Sequence, residues 1–213
     1  MAKELVIEIA SDVICPWCYI GKRRLEKALS LLDGEVKPDI RWLPFQLNPE
    51  MPGGGMARAE YRKAKFGSPE RARQLDERVA AEGRGEGIAF AFDRIERTPN
   101  TSAAHQLIDL AQSQGRGQQV VDALFRAYFE EARDIGDRDV LASIAMGSGV
   151  SGWPGQADAK AVAELEDNMR GLGISAVPTF IFERKFGISG AQPPAALASA
   201  IREAIEQQEA PAK

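Results

Sequence analysis

The sequence predicts an α/β fold whose two halves are separated by a helical insertion. Three observations predict it. The chain opens with a β-branched apolar run, a turn bearing two cysteines, a helical pattern and a second apolar run, the order that begins a βαβ unit. A break rich in proline and glycine, at Pro49, Pro52 and Gly53 to Gly55, then leads into a long helix-favouring region. Towards the end, two short apolar runs flank a polar turn, and a last helical pattern follows.

In chain order, Leu5 to Ala10 reads as a buried strand. After Cys15, the residues Ile20, Leu25, Ala28, Leu29 and Leu32 recur near helical spacing, and Asp33-Gly34 supplies a stop. Ile40 to Leu47 is the next strand. Ser68, Pro69 and Glu70 have the order of an N-cap, a first-turn proline and a first-turn acid, opening a helix to about Ala81 that Gly83, Gly85 and Gly87 end. Thr101 to Ser113 and Gln118 to Ala132 are helical, the second carrying a core stripe of Val120, Val121, Leu124, Phe125, Tyr128 and Phe129. Asp137 caps a short helix, and a further helix ends near Gly171 to Gly173. Strands at Thr179 to Glu183 and Phe186 to Ser189 form an antiparallel hairpin, and Pro194 to Gln207 is the final helix. The expected organisation is one discontinuous domain, 1–48 with 155–213, and a helical insertion domain, 49–154.

Composition excludes several classes. With 213 residues, 44% hydrophobic and 27% charged, the chain is an ordinary globular one, and a net charge of -4 without a basic cluster argues against nucleic-acid binding. No apolar stretch approaches the roughly 20 residues that span a bilayer, and the start has an acid in its apolar run and no small-residue cleavage site. The expectation is a soluble protein of the cytoplasm with no membrane partner. Two cysteines are too few for a disulfide scaffold. The glycine clusters lack the lysine and hydroxyl pair of a phosphate cradle.

Chemistry concentrates at Cys15-Pro16-Trp17-Cys18. Two cysteines three positions apart at a helix start can close a disulfide across one turn. The helix N-terminus favours an anion, so Cys15 is expected to have a lowered pKa and to act as the nucleophile, with Cys18 resolving the mixed disulfide. Pro16 suits the first turn, where a missing N–H costs nothing. The alternatives are a structural pair or half a zinc site. Zinc needs about four ligands, and the chain adds a single histidine, His105, so no metal is assigned. Trp17 is the candidate rim for substrate, with Tyr19 a lesser one. Asp12 and Glu8 are acids whose burial would decide any proton-transfer role.

The segment from Ser11 to Lys22, around Cys15-Pro16-Trp17-Cys18, closely resembles the start of DsbA-like thioredoxin-fold oxidoreductases of the FrnE branch. Val177-Pro178-Thr179-Phe180 and Ser189-Gly190-Ala191-Gln192-Pro193 resemble the same family, as do, more weakly, Asn100-Thr101 and Ala104-His105. The resemblance implies a thioredoxin fold with an inserted helical domain. It also implies a cis-proline at Pro178 lying against the cysteine pair, and a backbone docking site for substrate at Val177. His105 is a low-ranking candidate for the site. Periplasmic DsbA proteins have a histidine where this chain has Trp17, which implies a less stabilised thiolate and a more reducing potential here.

The resemblance implies a disulfide reductase or isomerase with no bound cofactor beyond a redox-active Cys15–Cys18 disulfide. Its substrates would be disulfide-containing proteins or small thiols. Glutathione or a thioredoxin-type protein would recycle it, glutathione also serving as a co-substrate, and a homodimer is allowed. The rivals are a glutathione-dependent transferase or isomerase of the kappa or 2-hydroxychromene-2-carboxylate isomerase type, and a non-enzymatic interaction protein that keeps the fold.

Overall fold

The computed structural model describes residues 2–209. Strand β1 (Lys3–Ser11) runs through the cysteine turn into helix α1 (Pro16–Ser30), and β2 (Val36–Pro44) returns parallel to β1, Ile7 opposite Ile40 and Ile9 opposite Trp42. The chain then leaves the sheet through β3 (Met56–Ala57), α2 (Arg58–Phe66), α3 (Pro69–Gly85), β4 (Arg97–Thr98), α4 (Ser102–Ser113), α5 (Gly117–Phe129) and α6 (Arg138–Gly147). It returns through α7 (Ala159–Gly171), β5 (Thr179–Phe182), β6 (Phe186–Ser189) and α8 (Pro194–Glu209). The sheet order is β2-β1-β5-β6, with both later pairings antiparallel.

Strand β1 is internal and buried without a break from Ile7 to Ser11, as a strand covered on both faces should be. Helices α1 and α8 pack on each other, and α4, α5 and α7 pack on β2. The helical excursion is fastened to α1 by aromatic stacking: the Tyr19 ring lies parallel to Phe125 at 4.9 Å and meets Phe90 edge-on at 6.1 Å. Arg24 adds a polar clasp. It reaches Glu82 at 2.5 Å and Glu86 at 2.7 Å at the end of α3, and Ala191 O at 2.6 Å in the loop after β6.

Several boundaries differ from the sequence reading, each for a physical reason. β2 spans Val36–Pro44, not Ile40 to Leu47; as an edge strand it tolerates Pro38, whose presence beside Lys37 and Asp39 hides the pattern. α3 runs past Ala81 to Gly85, because Gly83 leaves room for the Phe90 ring packed over it, and the chain turns at Gly87, φ +75°. α5 stops at Phe129, and Ala132 takes a left-handed φ of 58°. β5 stops at Phe182 because Glu183 and Arg184, at φ 52° and 56°, make the hairpin turn. Helix α2 and the β3–β4 ladder were not separated from the helix-favouring stretch around them. The cap residues hold as read: Ser68 Oγ accepts from Arg71 N, and Asp137 Oδ1 accepts from Asp139 N and Val140 N.

Gly21 sets how closely α1 approaches the sheet. A Cβ there would lie 2.8 Å from Pro178 Cγ and 3.2 Å from Phe180 Cζ. Alanine raises helix propensity by about 1 kcal/mol, but forcing a methyl into a close-packed contact costs about 1–3 kcal/mol. Gly21→Ala is therefore expected to lower the urea midpoint, with a net loss of about 1 kcal/mol. An unchanged or raised midpoint would mean that α1 is free to move away from Pro178.

Candidate active site

Cys15 is the N-cap of α1, with φ -89° and ψ 112°, and Pro16 holds the first helical position. The Cys15 carbonyl accepts from Cys18 N at 3.0 Å, which sets the turn that places the second cysteine beneath the first. Cys15 Sγ donates to Val177 O at 3.8 Å, and the Val177–Pro178 bond is cis. Both thiols are free. Cys18 is 1% exposed, and burial pushes its pKa well above the ordinary thiol value, reinforced by the neighbouring Cys15 sulfur; the Ser11 side chain and the Asp12 backbone pull the other way. The Ser11 hydroxyl nevertheless has no hydrogen-bond partner of good geometry among the described residues.

The stretches that carry the family resemblance converge here. Gly190 N donates to Pro178 O at 2.7 Å, and Thr179 Oγ1 lies 2.9 Å from Ser189 Oγ, so the loop after β6 is pinned to the proline segment. Asp12 is fully buried and accepts from Leu47 N at 2.7 Å and Ile14 N at 3.4 Å, joining the turn before Cys15 to the segment after β2. The His105 Nε2 is buried without a hydrogen bond among the described residues, 3.6 Å from Asp12 Oδ1. Nearby, burial pushes the Glu166 carboxyl up, but the Gln46 side-chain and backbone donors, with Arg170, hold it below its ordinary range. Glu8 pairs with Arg184 at 2.6 Å, and Tyr19 is buried in the aromatic stack, not at a rim.

Cys15 itself is only 5% exposed, whereas Trp17 is 39% exposed. Both, with Pro16, line a cavity of about 240 Å³ that α2, α3 and α5 close from the far side. Its other walls include Arg58, Tyr61 and Arg62 of α2 and Asp76 of α3, none of which the sequence reading singles out, and Tyr128 of α5, which it reads as core. A signal did exist. Arg58, Tyr61, Arg62 and Lys65 recur at i, i+3, i+4 and i+7 and mark one face of a helix. Burial raises Tyr128 to about 12, against the opposing pull of Arg58. Among the described residues no group of three His, Cys, Asp or Glu is placed to hold a metal, and no helix is long and apolar enough to cross a membrane.

Residues 6–202 match the family described as DSBA-like thioredoxin domain. The crystal structure of a probable DsbA oxidoreductase from Streptomyces coelicolor is 31% identical, with a TM-score of 0.86, over 98% of this chain and 93% of that one. The cytosolic disulfide reductase DsbM from Pseudomonas aeruginosa, in a structure with GSH, is 23% identical with a TM-score of 0.59, over 96% of this chain and 98% of that one, a likeness of fold. The uncharacterized protein YwbO of Bacillus subtilis (strain 168) is 27% identical over 186 residues, 82% of this chain and 85% of its own.

Two measurements check the electrostatics. In a Cys15→Ala variant at about pH 8, iodoacetamide should alkylate Cys18 at least tenfold more slowly than a free thiol, and at the ordinary rate only after unfolding. Burial also raises the Tyr19 phenol to about 12. Unfolding returns Tyr19 and Tyr128 to about 10, so the stability they contribute is complete below about pH 10 and is lost as pH rises towards 12. Urea midpoints should fall between about pH 10 and 12, and less steeply in Tyr128→Phe.

Proposed function

The chain belongs to the DSBA-like thioredoxin domain family, and from that premise we propose that it is a disulfide reductase or isomerase acting through Cys15 and Cys18. The observation that carries this reading is the arrangement at the head of α1. A cysteine caps the helix with its sulfur beside the Val177 carbonyl, and a second cysteine is buried one turn below it.

In the proposed reaction the Cys15 thiolate attacks one sulfur of a substrate disulfide. A Cys15–substrate disulfide forms, and the other half leaves as a thiolate that takes up a proton. Cys18 then loses its proton and attacks Cys15 Sγ, releasing the second half and leaving a Cys15–Cys18 disulfide. The pair has given up two electrons, and the substrate is now two thiols. Because burial holds Cys18 protonated, the resolving step waits on its deprotonation, and mixed disulfides persist long enough to be exchanged. Val177 offers backbone groups to a substrate chain, and Pro16 and Trp17 shape the approach.

In the same reading, residues 49–154 form the helical insertion domain between 1–48 and 155–213, and the protein belongs to the FrnE branch and works in the cytoplasm. Glutathione or a thioredoxin-type reductant then returns the pair to thiols. The name of the fold relative DsbM, a cytosolic disulfide reductase with GSH, supports the location and the role for glutathione. His105 enters as a lesser candidate beside Asp12, its Nε2 3.6 Å from Asp12 Oδ1.

Cys15→Ser is expected to abolish disulfide reduction, and Cys18→Ala to accumulate a mixed disulfide visible by mass spectrometry as one added glutathione. Equilibration in glutathione buffers should show a two-electron transition within roughly -120 to -270 mV. If no intramolecular disulfide forms, and activity needs glutathione but survives Cys18→Ala, the kappa-type transferase or isomerase reading replaces this one. Full function in Cys15→Ser would favour a non-enzymatic role.

A further inference from the structure

The reactive sulfur is reached through the cavity, and the cavity has a chemistry of its own. Two guanidinium groups, Arg58 and Arg62, are largely buried in its wall at 12% and 14% side-chain exposure. They share one carboxylate. Asp76 lies 2.7 Å from Arg62 and 3.4 Å from Arg58, and no other acid stands among the described residues of the lining. Lys65 adds a third cation at the edge, engaged with the Tyr61 hydroxyl at 2.6 Å. A buried cation without a full counter-charge is costly, and an entering anion would offset that cost.

A second observation points the same way. Thr98 is 2% exposed and lines the cavity beside Tyr128, and its Oγ1 has no hydrogen-bond partner of good geometry among the described residues. It is a buried donor and acceptor that an occupant could satisfy. The rest of the wall is apolar, built from Phe66, Leu75, Val79, Phe92 and Phe129. Arg58 and Arg62 lie over the faces of Phe92 and Phe66, at 5.3 Å and 4.6 Å from the ring centroids, so the cations are set within apolar surface. A volume of about 240 Å³ is below the roughly 300–1,000 Å³ of sites for drug-sized ligands, so the occupant is small.

We propose that this cavity is a substrate pocket for small disulfides that carry a carboxylate on an apolar, aromatic-sized body, with Arg58 and Arg62 holding the carboxylate while Cys15 attacks the sulfur. The proposal rests on the thiol-disulfide reading above and names its substrate class. Cys15 Sγ bonds to one sulfur of the aryl disulfide and the first aryl thiolate leaves. Cys18 then closes the protein disulfide and the second aryl thiolate leaves, so the protein dithiol supplies both electrons.

The test uses the reduced full chain in stopped flow with two probes, the dicarboxylate 5,5′-dithiobis(2-nitrobenzoate) and uncharged 4,4′-dithiodipyridine. With the wild type, the rate for the anionic probe should saturate with concentration. Arg58→Gln or Arg62→Gln should slow that probe about tenfold, the loss of one charge-assisted hydrogen bond, and leave the neutral probe within about twofold. Arg62→Lys should restore part of the loss. Lys63→Gln makes the same charge change on the exposed side of α2, outside the lining, and should alter neither rate. A second measurement needs no variant: benzoate should protect wild-type Cys15 from iodoacetamide, and its neutral counterpart benzamide should not. Equal slowing of both probes, an equal effect of Lys63→Gln, or equal protection by benzoate and benzamide would overturn the pocket. If benzoate protects but neither probe yields a Cys15–Cys18 disulfide, the disulfide chemistry is overturned and the anion site stands alone.

Discussion

At Gly21 the backbone of α1 comes so near Pro178 that an added Cβ would lie 2.8 Å from the ring. Two residues earlier on the same helix, Tyr19 is stacked on Phe125 of the helical excursion. Helix α1 is thus held by the sheet side at one residue and by the insertion at another, and the site depends on both. The first contact brings the head of the helix to Val177, so that Cys15 Sγ meets that carbonyl. The second brings α2, α3 and α5 over the cysteine turn and closes the cavity. Arg24 ties the two together, since one guanidinium binds both the end of α3 and the loop that is pinned to Pro178. A buried aromatic stack and a multiply bonded Arg are strong enough to fix geometry that a pair of surface ion pairs would leave loose.

The two cysteines differ by environment more than by sequence. Cys15 heads the helix and opens onto the cavity. Cys18 is sealed beneath it, where charge is disfavoured. In the proposed exchange that difference in position and burial separates attack from resolution. The buried acid of the turn, Asp12, is spent on the backbone of Ile14 and Leu47, so its first service is to hold the loop.

Much of this was legible in the residues. The strand, cysteine turn and helix at the start, the hairpin and the final helix follow from period and punctuation, and local rules were enough for them because each contains its own signal. The misplacements fall where tertiary contacts decide. β2 begins early because its edge position excuses Pro38, and α3 continues through Gly83 because Phe90, seven residues on, fills the space. The cavity was the least legible part. Its chemistry comes from α2, α3 and α5 meeting the cysteine turn, and only the stripe of Arg58, Tyr61, Arg62 and Lys65 left a trace in the sequence. His105 is a different case: the sequence offers it with no partner, and the fold supplies one, Asp12 Oδ1 at 3.6 Å from its Nε2.

The low exposure of Cys15 changes how selectivity should be understood. In a thiol that stands free on a surface, choice of partner is left to potential and encounter. Here Cys15 is 5% exposed and lines a walled space, so in the proposed reaction a disulfide must bring a group that fits the wall before its sulfur can reach Cys15. In the proposed reaction the cysteine pair sets whether electrons move, and the inserted helices set which molecule receives them. Since α1 is fastened to the insertion at Tyr19, Lys22, Arg24 and Lys27, changes on the cavity face of α2 and α3 can alter the wall while the geometry at Val177 stays as it is. The pocket and the exchange chemistry are therefore separable in this fold, and a chain of this architecture can acquire a new substrate without rebuilding its reactive centre.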